Sequence, residues 1–360
     1  MNLPGHPTDH GSLINEMKPG QIAFLGSGET SLAGGRVFET LARLLPDSPR
    51  IAILETPAGF ELNSAIVAGR VADFLKTRLQ NYSPQVDVIP ARKRGTDFSP
   101  DDPNIIKPLL DANLIFMGPG SPTYAIRNLK NTLAWDIIRA RHRLGATLIF
   151  ASAATISISA HALPVYEIYK VGQDVHAVDG LNLFADFGLH VSFIPHWNNA
   201  EGGADLDTSR CFIGMDRFNE WSSFVPLSNE TVGLDEHTGL VLDFETGLCE
   251  VSGVSSVSLV RQTNPEIYPS GSKFPLSELG EVVLPEPVEK DIPSHVWEMA
   301  LNAPPLDDDT PPDSVVALAE KRLGARSNRN WAESDKLRDE ISALGWIVQD
   351  GKDGYKLVRN

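Results

Sequence analysis

Cysteine is scarce in this chain. Only Cys211 and Cys249 occur in 360 residues, too few and too far apart for a disulfide framework or a thiolate metal site. Basic charge is also in deficit: 31 Lys and Arg stand against 47 Asp and Glu, a net charge of −16. A field of that sign excludes general binding to nucleic acid or to an anionic membrane surface. No apolar run reaches the length of a membrane span. The stretch Met1 to Gly20 has no basic segment followed by an apolar one, so no secretory leader is read there. His, Cys, Asp and Glu do not cluster at metal-ligand spacing, and neither a full GxGxxG nor a GK[ST] phosphate loop is present. Neither a metal nor a cofactor is therefore expected. Two thiols without an export signal predict a reducing cytoplasm.

What is present is a globular composition, 42% hydrophobic, laid out as a repeat of strand, loop and helix. Apolar β-rich runs stand at Ile22–Leu25, Ile51–Leu54, Val86–Ile89, Leu114–Met117, Thr147–Ala151 and Val191–Ile194. Helical periodicity separates them, as at Arg36–Leu45, Ser64–Gln80 and Tyr124–His142. Near-continuous apolar strands alternating with helices predict an α/β domain with a doubly wound, mainly parallel sheet. Ligand sites in such sheets form at the C-terminal ends of the strands. Gly26-Ser27-Gly28, Glu55-Thr56-Pro57, Gly118-Pro119-Gly120 and Ser152 all fall at those ends, so they are expected to converge. After Gly233 the pattern shifts. Gly239–Phe244 and Leu248–Val251 read as a hairpin, with Ser256–Val260 as a further strand of an antiparallel edge.

These patterns divide the chain into a flexible lead-in over 1–18, an α/β domain over 19–265, a linker rich in Pro and acids over 266–312, and a small α+β module over 313–360. Within the module, Ser314 is expected to cap a helix running through Arg322. A second helix starts near Asn330, and Ile347-Val348 and Tyr355–Leu357 form a hairpin.

Ser152 is the leading nucleophile. It follows a buried strand and precedes a helix-like segment, the setting that lifts a serine hydroxyl above a sheet. A serine hydroxyl needs a base to take its proton, and the base needs a group to orient it. His196, at the end of the Val191–Ile194 strand, is the leading base. His161, His176 and His190 are rivals, whereas His6 and His10 lie in the lead-in. Glu167 is the candidate orienting acid, with Asp174 as the alternative. Gly120 and Ala153 can offer backbone N–H groups to an oxyanion, since Pro119 has none. Glu29, Ser121 and Arg210 are candidate substrate-binding residues, Arg210 as a clamp for a carboxylate. One feature departs from a nucleophile elbow: Phe150 and Ala154 stand where glycine usually flanks the serine.

At these residues the chain resembles the S51 serine peptidase family of peptidase E and cyanophycinase, with its class I glutamine amidotransferase-like fold. The resemblance covers residues 20–262. It is carried by Gly26-Ser27-Gly28-Glu29, Gly118-Pro119-Gly120-Ser121, the serine strand, Tyr166-Glu167-Ile168, Gly180–Phe184, Pro195-His196, Thr208–Arg210 and Gly233-Leu234-Asp235-Glu236. It implies a Ser–His–Asp/Glu hydrolase, with Ser152 as nucleophile, His196 as base, Glu167 as acid and Gly120 as oxyanion donor. The implied substrate is a small peptide or amino-acid conjugate, aspartyl ones among them. A glutaminase of amidotransferase type is the weaker reading, because serine stands where that chemistry uses cysteine. The family's G-x-S-A-G is here Phe150-Ala151-Ser152-Ala153-Ala154. That difference keeps an alternative open: a catalytically degenerate scaffold that binds a ligand, a partner or tRNA.

The last residues resemble the tail of cysteinyl-tRNA synthetases, over Ala325–Asp339 and Gly345–Asp350. The HIGH and KMSKS signatures of the synthetase catalytic domain are absent, which argues against aminoacylation. From Asp313 onward nine basic and eight acidic residues give +1, leaving −17 of the total −16 elsewhere. Such a weak field favours a docking or stabilising module over autonomous tRNA binding. Assembly into a homo-oligomer is left open.

Overall fold

The structure, a computed structural model, describes residues 18–261, 264–285, 288–303, 311, 313–328, 330–351 and 354–359. The expected lead-in up to residue 17, with His6 and His10, lies outside the described residues, as does the linker stretch 304–310. The chain forms two compact units, Met1–Ala303 and Pro304–Asn360.

The first unit is an α/β domain around an eight-stranded sheet. Five parallel strands make its centre and one side: β1 (Ile22–Leu25), β2 (Arg50–Leu54), β3 (Gln85–Ile89), β4 (Leu114–Met117) and β5 (Thr147–Ala151). β6 (His161–Ala162) and β7 (Val178–Asp179) form a separate short ladder. β8 (Val191–Ile194) pairs in parallel with β9 (Glu230–Leu234). The antiparallel strands β10 (Thr238–Asp243), β11 (Leu248–Gly253) and β14 (Lys273–Pro275) extend the main sheet beyond β1, giving the order β14-β11-β10-β1-β5-β4-β2-β3. A second sheet has the order β13-β12-β9-β8, with β12 at Ser256–Arg261 and β13 at Asn264–Pro269. The expected hairpin thus forms the antiparallel edge. The strands over Val191–Ile194 and Ser256–Val260 instead belong to the second sheet.

Alternation along the strands divides the core. Ala23, Leu25, Ile51, Ile53, Phe116 and Ile149 pack on one face beneath α1 (Leu32–Leu44) and α2 (Ser64–Arg78). Phe24, Leu54, Met117, Leu148 and Phe150 pack on the other, because successive side chains leave opposite faces of a strand. Between β3 and β4 lies the single turn α3 (Pro103–Ile106). The helical stretch expected over Tyr124–His142 is two helices, α4 (Pro122–Leu129) and α5 (Leu133–Arg143). Asn131 at φ +58 breaks the run, and the Thr132 side chain accepts from Trp135 N–H to cap the second helix. Three more helices follow: α6 (Ala153–Ser157), α7 (Val165–Tyr169) and α8 (Gly214–Ser223).

The stretch from 266 to 301 is not a linker. It contributes β13, β14 and the helix α9 (Ser294–Leu301). Phe274, Leu276, Leu279, Ile292, Val296 and Ala300 are buried in the main core. Arginines of α5 tie it down: Arg139 donates to the carbonyl of Asp291, Arg141 to that of Ala300, and Arg143 to those of Val288 and Lys290. The Pro and acid content describes the exposed positions, and averaging over it hid the widely spaced apolar anchors.

The second unit packs α10 (Asp313–Ser327) and α11 (Trp331–Ala343) with the hairpin β15 (Trp346–Gly351) and β16 (Gly354–Arg359). Val315, Ala319, Ile341, Trp346 and Val348 form its core. Arg322, only 5% exposed, makes two hydrogen bonds to Asp350 at 2.7 and 3.0 Å. That fork couples the first helix to the hairpin. No described helix is long and apolar enough to cross a membrane.

Candidate active site

Four turns at strand ends meet, as the strand pattern required. Ser152 N–H donates to the carbonyl of Leu25 at 3.2 Å, and Ala154 N–H to that of Gly118 at 3.3 Å. His196 N–H donates to the carbonyl of Gly26, and Ser121 N–H to that of Pro57. Backbone bonds therefore set the separations of these turns, independent of side-chain rotamers.

Ser152 sits at φ +51, ψ −116, a conformation that costs a non-glycine residue about 1–3 kcal/mol. It is the sharp strand-to-helix turn that presents a hydroxyl above a sheet. The missing glycines are accommodated. The Phe150 ring is 1% exposed and packs in the core 6.0 Å from the ring of Phe24, and it does not line the cavity at the serine. Ala154 is fully buried, and its methyl group fits.

Ser152 Oγ lies 3.0 Å from His196 Nε2. On the far side of the ring, His196 Nδ1 lies 2.9 Å from Glu236 Oε1. A carboxylate only accepts, so Nδ1 carries the proton and Nε2 of the neutral ring accepts from the serine hydroxyl. Asn199 Nδ2 donates to the same Glu236 oxygen at 3.0 Å, and Asn198 Oδ1 accepts from Glu236 N–H at 2.8 Å. Burial pushes the Glu236 carboxyl up, but the bonds from His196 and Asn199 outweigh it and hold its pKa below the ordinary value. The hydrogen bonds of Ser152 and His196 involve none of His161, His176, His190 or Asp174.

Glu167 does not orient the histidine. It lies on α7, where its Oε1 accepts from Thr123 Oγ1 at 2.5 Å. Glu236 follows the histidine in the chain, so the order serine, acid, histidine of a nucleophile-elbow hydrolase does not point to it. The usable signal was topological. β8 and β9 are parallel neighbours in the register Ile194↔Gly233, so the residues just beyond their ends, His196 and Glu236, stand side by side. Asp235 Oδ2 holds the turn by accepting from the Ser255 hydroxyl at 2.6 Å and the Ser256 amide at 3.1 Å.

Gly120 has φ +148, and a Cβ there would fall 1.9 Å from the carbonyl oxygen of Pro57. Only glycine fits this close approach. Gly120, Ala153, Ser152, His196 and Tyr166 line a small cavity of about 40 Å³. The N–H groups of Gly120 and Ala153 donate to no acceptor among the described residues. Ser121 caps α4 by accepting from Tyr124 N–H and lines a larger neighbouring cleft of about 570 Å³, which Tyr166 also borders.

Glu29 is half-buried in the loop after β1 and lines neither cavity. Arg210 is not poised as a clamp: its guanidinium stacks 3.9 Å over Trp197 and donates to the Trp197 carbonyl at 3.1 Å. Arg210, Cys211 and Phe212 all have positive φ. This turn backs the histidine, with Cys211 N–H on the His196 carbonyl at 3.1 Å and the Phe212 ring 5.2 Å from the imidazole. Among the described residues no group of acids, histidines and cysteines could hold a metal.

No family model matches the chain. Among solved structures, a peptidase from an acI-B1 Actinobacterium is similar with a TM-score of 0.59 and 21% identity, over 73% of this chain and 99% of that one. The likeness is one of fold: a mixed α/β architecture with a large, mainly parallel sheet, as the resemblance implied. Short segments are similar to cysteine–tRNA ligases, 58% identical over 40 residues to that of Pseudomonas fluorescens and 46% over 48 residues to that of Chlamydia felis. These matches span 11% and 13% of this chain and 9% and 10% of those proteins, which supports the synthetase-like tail and nothing larger.

Proposed function

We propose that this chain is a serine hydrolase that cleaves an amide bond in a small peptide or amino-acid conjugate. One observation carries the reading: a serine held at φ +51 meets His196 Nε2 at 3.0 Å, while Nδ1 is engaged by Glu236 at 2.9 Å. Ser152 Oγ attacks the carbonyl carbon as its proton passes to Nε2. Glu236 keeps the ring in the accepting tautomer and stabilises the imidazolium. The free N–H groups of Gly120 and Ala153 receive the charge that develops on the carbonyl oxygen. His196 then protonates the leaving amine, and water, deprotonated by the same ring, releases the acyl group.

The peptidase-like fold supports this reading, as does the place of Phe150 in the core rather than in the cavity. The synthetase-like tail is read as a docking or stabilising module in a cytoplasmic enzyme. The test is labelling by a fluorophosphonate, which traps only an activated serine, together with hydrolysis of a dipeptide library. Ser152→Ala is expected to abolish labelling and to lower turnover by roughly 10⁴-fold or more. Absence of labelling in the wild-type chain would favour the binding-scaffold alternative.

A further inference from the structure

At the end of β2 stands a buried ion pair that the catalytic steps do not use. Glu55 is 4% exposed, and its Oε2 accepts from Arg92 Nε at 2.7 Å and from the Ser64 hydroxyl at 3.0 Å. Neither Glu55 nor Arg92 lines the cavity at the serine or the larger cleft. Desolvation offsets much of the attraction in a buried ion pair, so such a pair adds little net stability. What it supplies is direction, because carboxylate and planar guanidinium must align. Here it fixes the turn Thr56–Ala58, which follows Glu55 directly. The Pro57 carbonyl in that turn accepts from Ser121 N–H at 2.9 Å. It is also the wall that Gly120 approaches so closely that no Cβ would fit.

From this wall the contacts run through the oxyanion turn and return to Arg92. Ser121 Oγ accepts from Tyr124 N–H at 3.2 Å, and the Tyr124 hydroxyl donates to the Arg92 carbonyl at 3.0 Å. Arg92 therefore holds the β2 turn with its side chain and α4 with its backbone, and Gly120 lies between the two. Its guanidinium also rests on the Phe98 ring, with Cζ 4.4 Å from the centroid. Gly59 lets the loop close, because a Cβ there would fall 2.4 Å from the Arg92 carbonyl oxygen. A closed ring of bonds restricts each member more than an open chain of the same bonds, and reacting groups need such support to hold their geometry. We infer that Arg92 is a positioning residue for the oxyanion donor, acting through Glu55 and Pro57 on the N–H of Gly120. This role rests on the serine-hydrolase reading for the charge that Gly120 meets. An oxyanion donor is aimed at the transition state rather than at the ground-state carbonyl, so Arg92 acts on rate and not on substrate affinity.

The test uses full-length variants. Arg92→Met opens the ring at the side chain, Arg92→Lys keeps the charge, and Tyr124→Phe opens the ring at the backbone link without leaving a charge buried. For a dipeptide that the wild-type chain cleaves, Arg92→Met is expected to lower kcat by about 10- to 100-fold with KM little changed, the scale of a donor displaced rather than removed. The rate of fluorophosphonate labelling, which places a phosphoryl oxygen at the same donors, should fall in parallel. Its pH midpoint should not move, because the His196–Glu236 bond lies outside the ring. Arg92→Lys should recover part of the rate. Tyr124→Phe should reproduce the loss, and the double variant with Arg92→Met should lose little more than either alone, since an open ring has no second constraint to lose. Wild-type kcat and labelling in a folded Arg92→Met chain would overturn the inference. So would additive losses in the double variant, or a rise in KM that accounts for the whole effect. If Arg92→Met does not fold, Tyr124→Phe decides, and wild-type kcat in that variant overturns it. Absence of labelling in the wild-type chain marks failure of the hydrolase reading itself, seen before any variant is compared, and it removes the oxyanion that Arg92 serves.

Discussion

The nucleophile and its base come from two different sheets. Ser152 follows β5, which lies between β1 and β4 in the parallel part of the main sheet. His196 and Glu236 end β8 and β9, in a second sheet that is antiparallel over β9, β12 and β13. The serine turn is local: a buried strand, one strained residue and a helix start, all within a few positions. The histidine–glutamate pair is non-local, its members 40 residues apart and adjacent only through the β8–β9 register. Two backbone hydrogen bonds, Ser152 to Leu25 and His196 to Gly26, hang both halves on the end of β1. The geometry of the site therefore depends on one shared strand end.

Removing the acid while keeping its shape tests the non-local half most severely. Glu236→Gln is expected to lower kcat by roughly 10³ to 10⁴-fold, because the amide no longer holds the accepting tautomer of His196. Glu167→Gln should leave kcat close to the wild-type value, because Glu167 bonds to Thr123 and not to His196. Comparable kcat losses in the two variants would return the orienting role to α7.

The local half is tested through its unusual packing. Phe150→Ala should destabilise the domain by about 3–5 kcal/mol through an empty core site, read as a shift in the urea midpoint at constant slope. A neutral result would mean that the ring is not an integral part of the core that supports the serine turn.

A third test probes the C-terminal end of α5. His142 is buried with its Nδ1 against the Ala146 carbonyl at 3.1 Å, beside the stacked rings of Phe187 and Phe244. Burial pushes its pKa down to about 4, although the Ala146 carbonyl and Asp186 raise it in part and Arg143 lowers it further. The unfolded chain binds this proton near pH 6.5 and the folded chain only near pH 4. Stability is therefore full above pH 6.5, falls as pH drops through that window, and levels off below it. The loss from this one group is roughly 3 kcal/mol, and Tm measured from pH 7 to 4 in the wild type and in His142→Asn isolates it. Parallel Tm profiles would show that the imidazole is not the titrating group.

The smallest expected effect joins the two halves at the oxyanion turn. Gly120→Ala places a methyl group against Pro57 and must displace the turn. A loss of about 10²-fold in kcat is expected, as for removal of one oxyanion donor, with KM little changed. Wild-type kcat in that variant would exclude Gly120 as a donor.

Most strand positions, the buried core of β1, β2, β4 and β5, and the places of Ser152 and His196 just beyond strand ends were legible in the chain. Each follows from periodicity or from the position of a residue at a strand end, and both are short-range properties of a sequence. Folding alone settled the rest. Glu236 replaced Glu167 because a parallel register, invisible to local pattern, set two distant strand ends side by side. The segment from 266 to 301 joined the core because a few spaced apolar residues, each worth about 1.5–3 kcal/mol on burial, outweigh a polar average. Arg210 went to Trp197 because a cation stacks on an available aromatic face when three successive positive φ angles turn it there. Local pattern determines what each element is; the partners of its exposed ends are fixed by long-range packing, which no window along the chain contains.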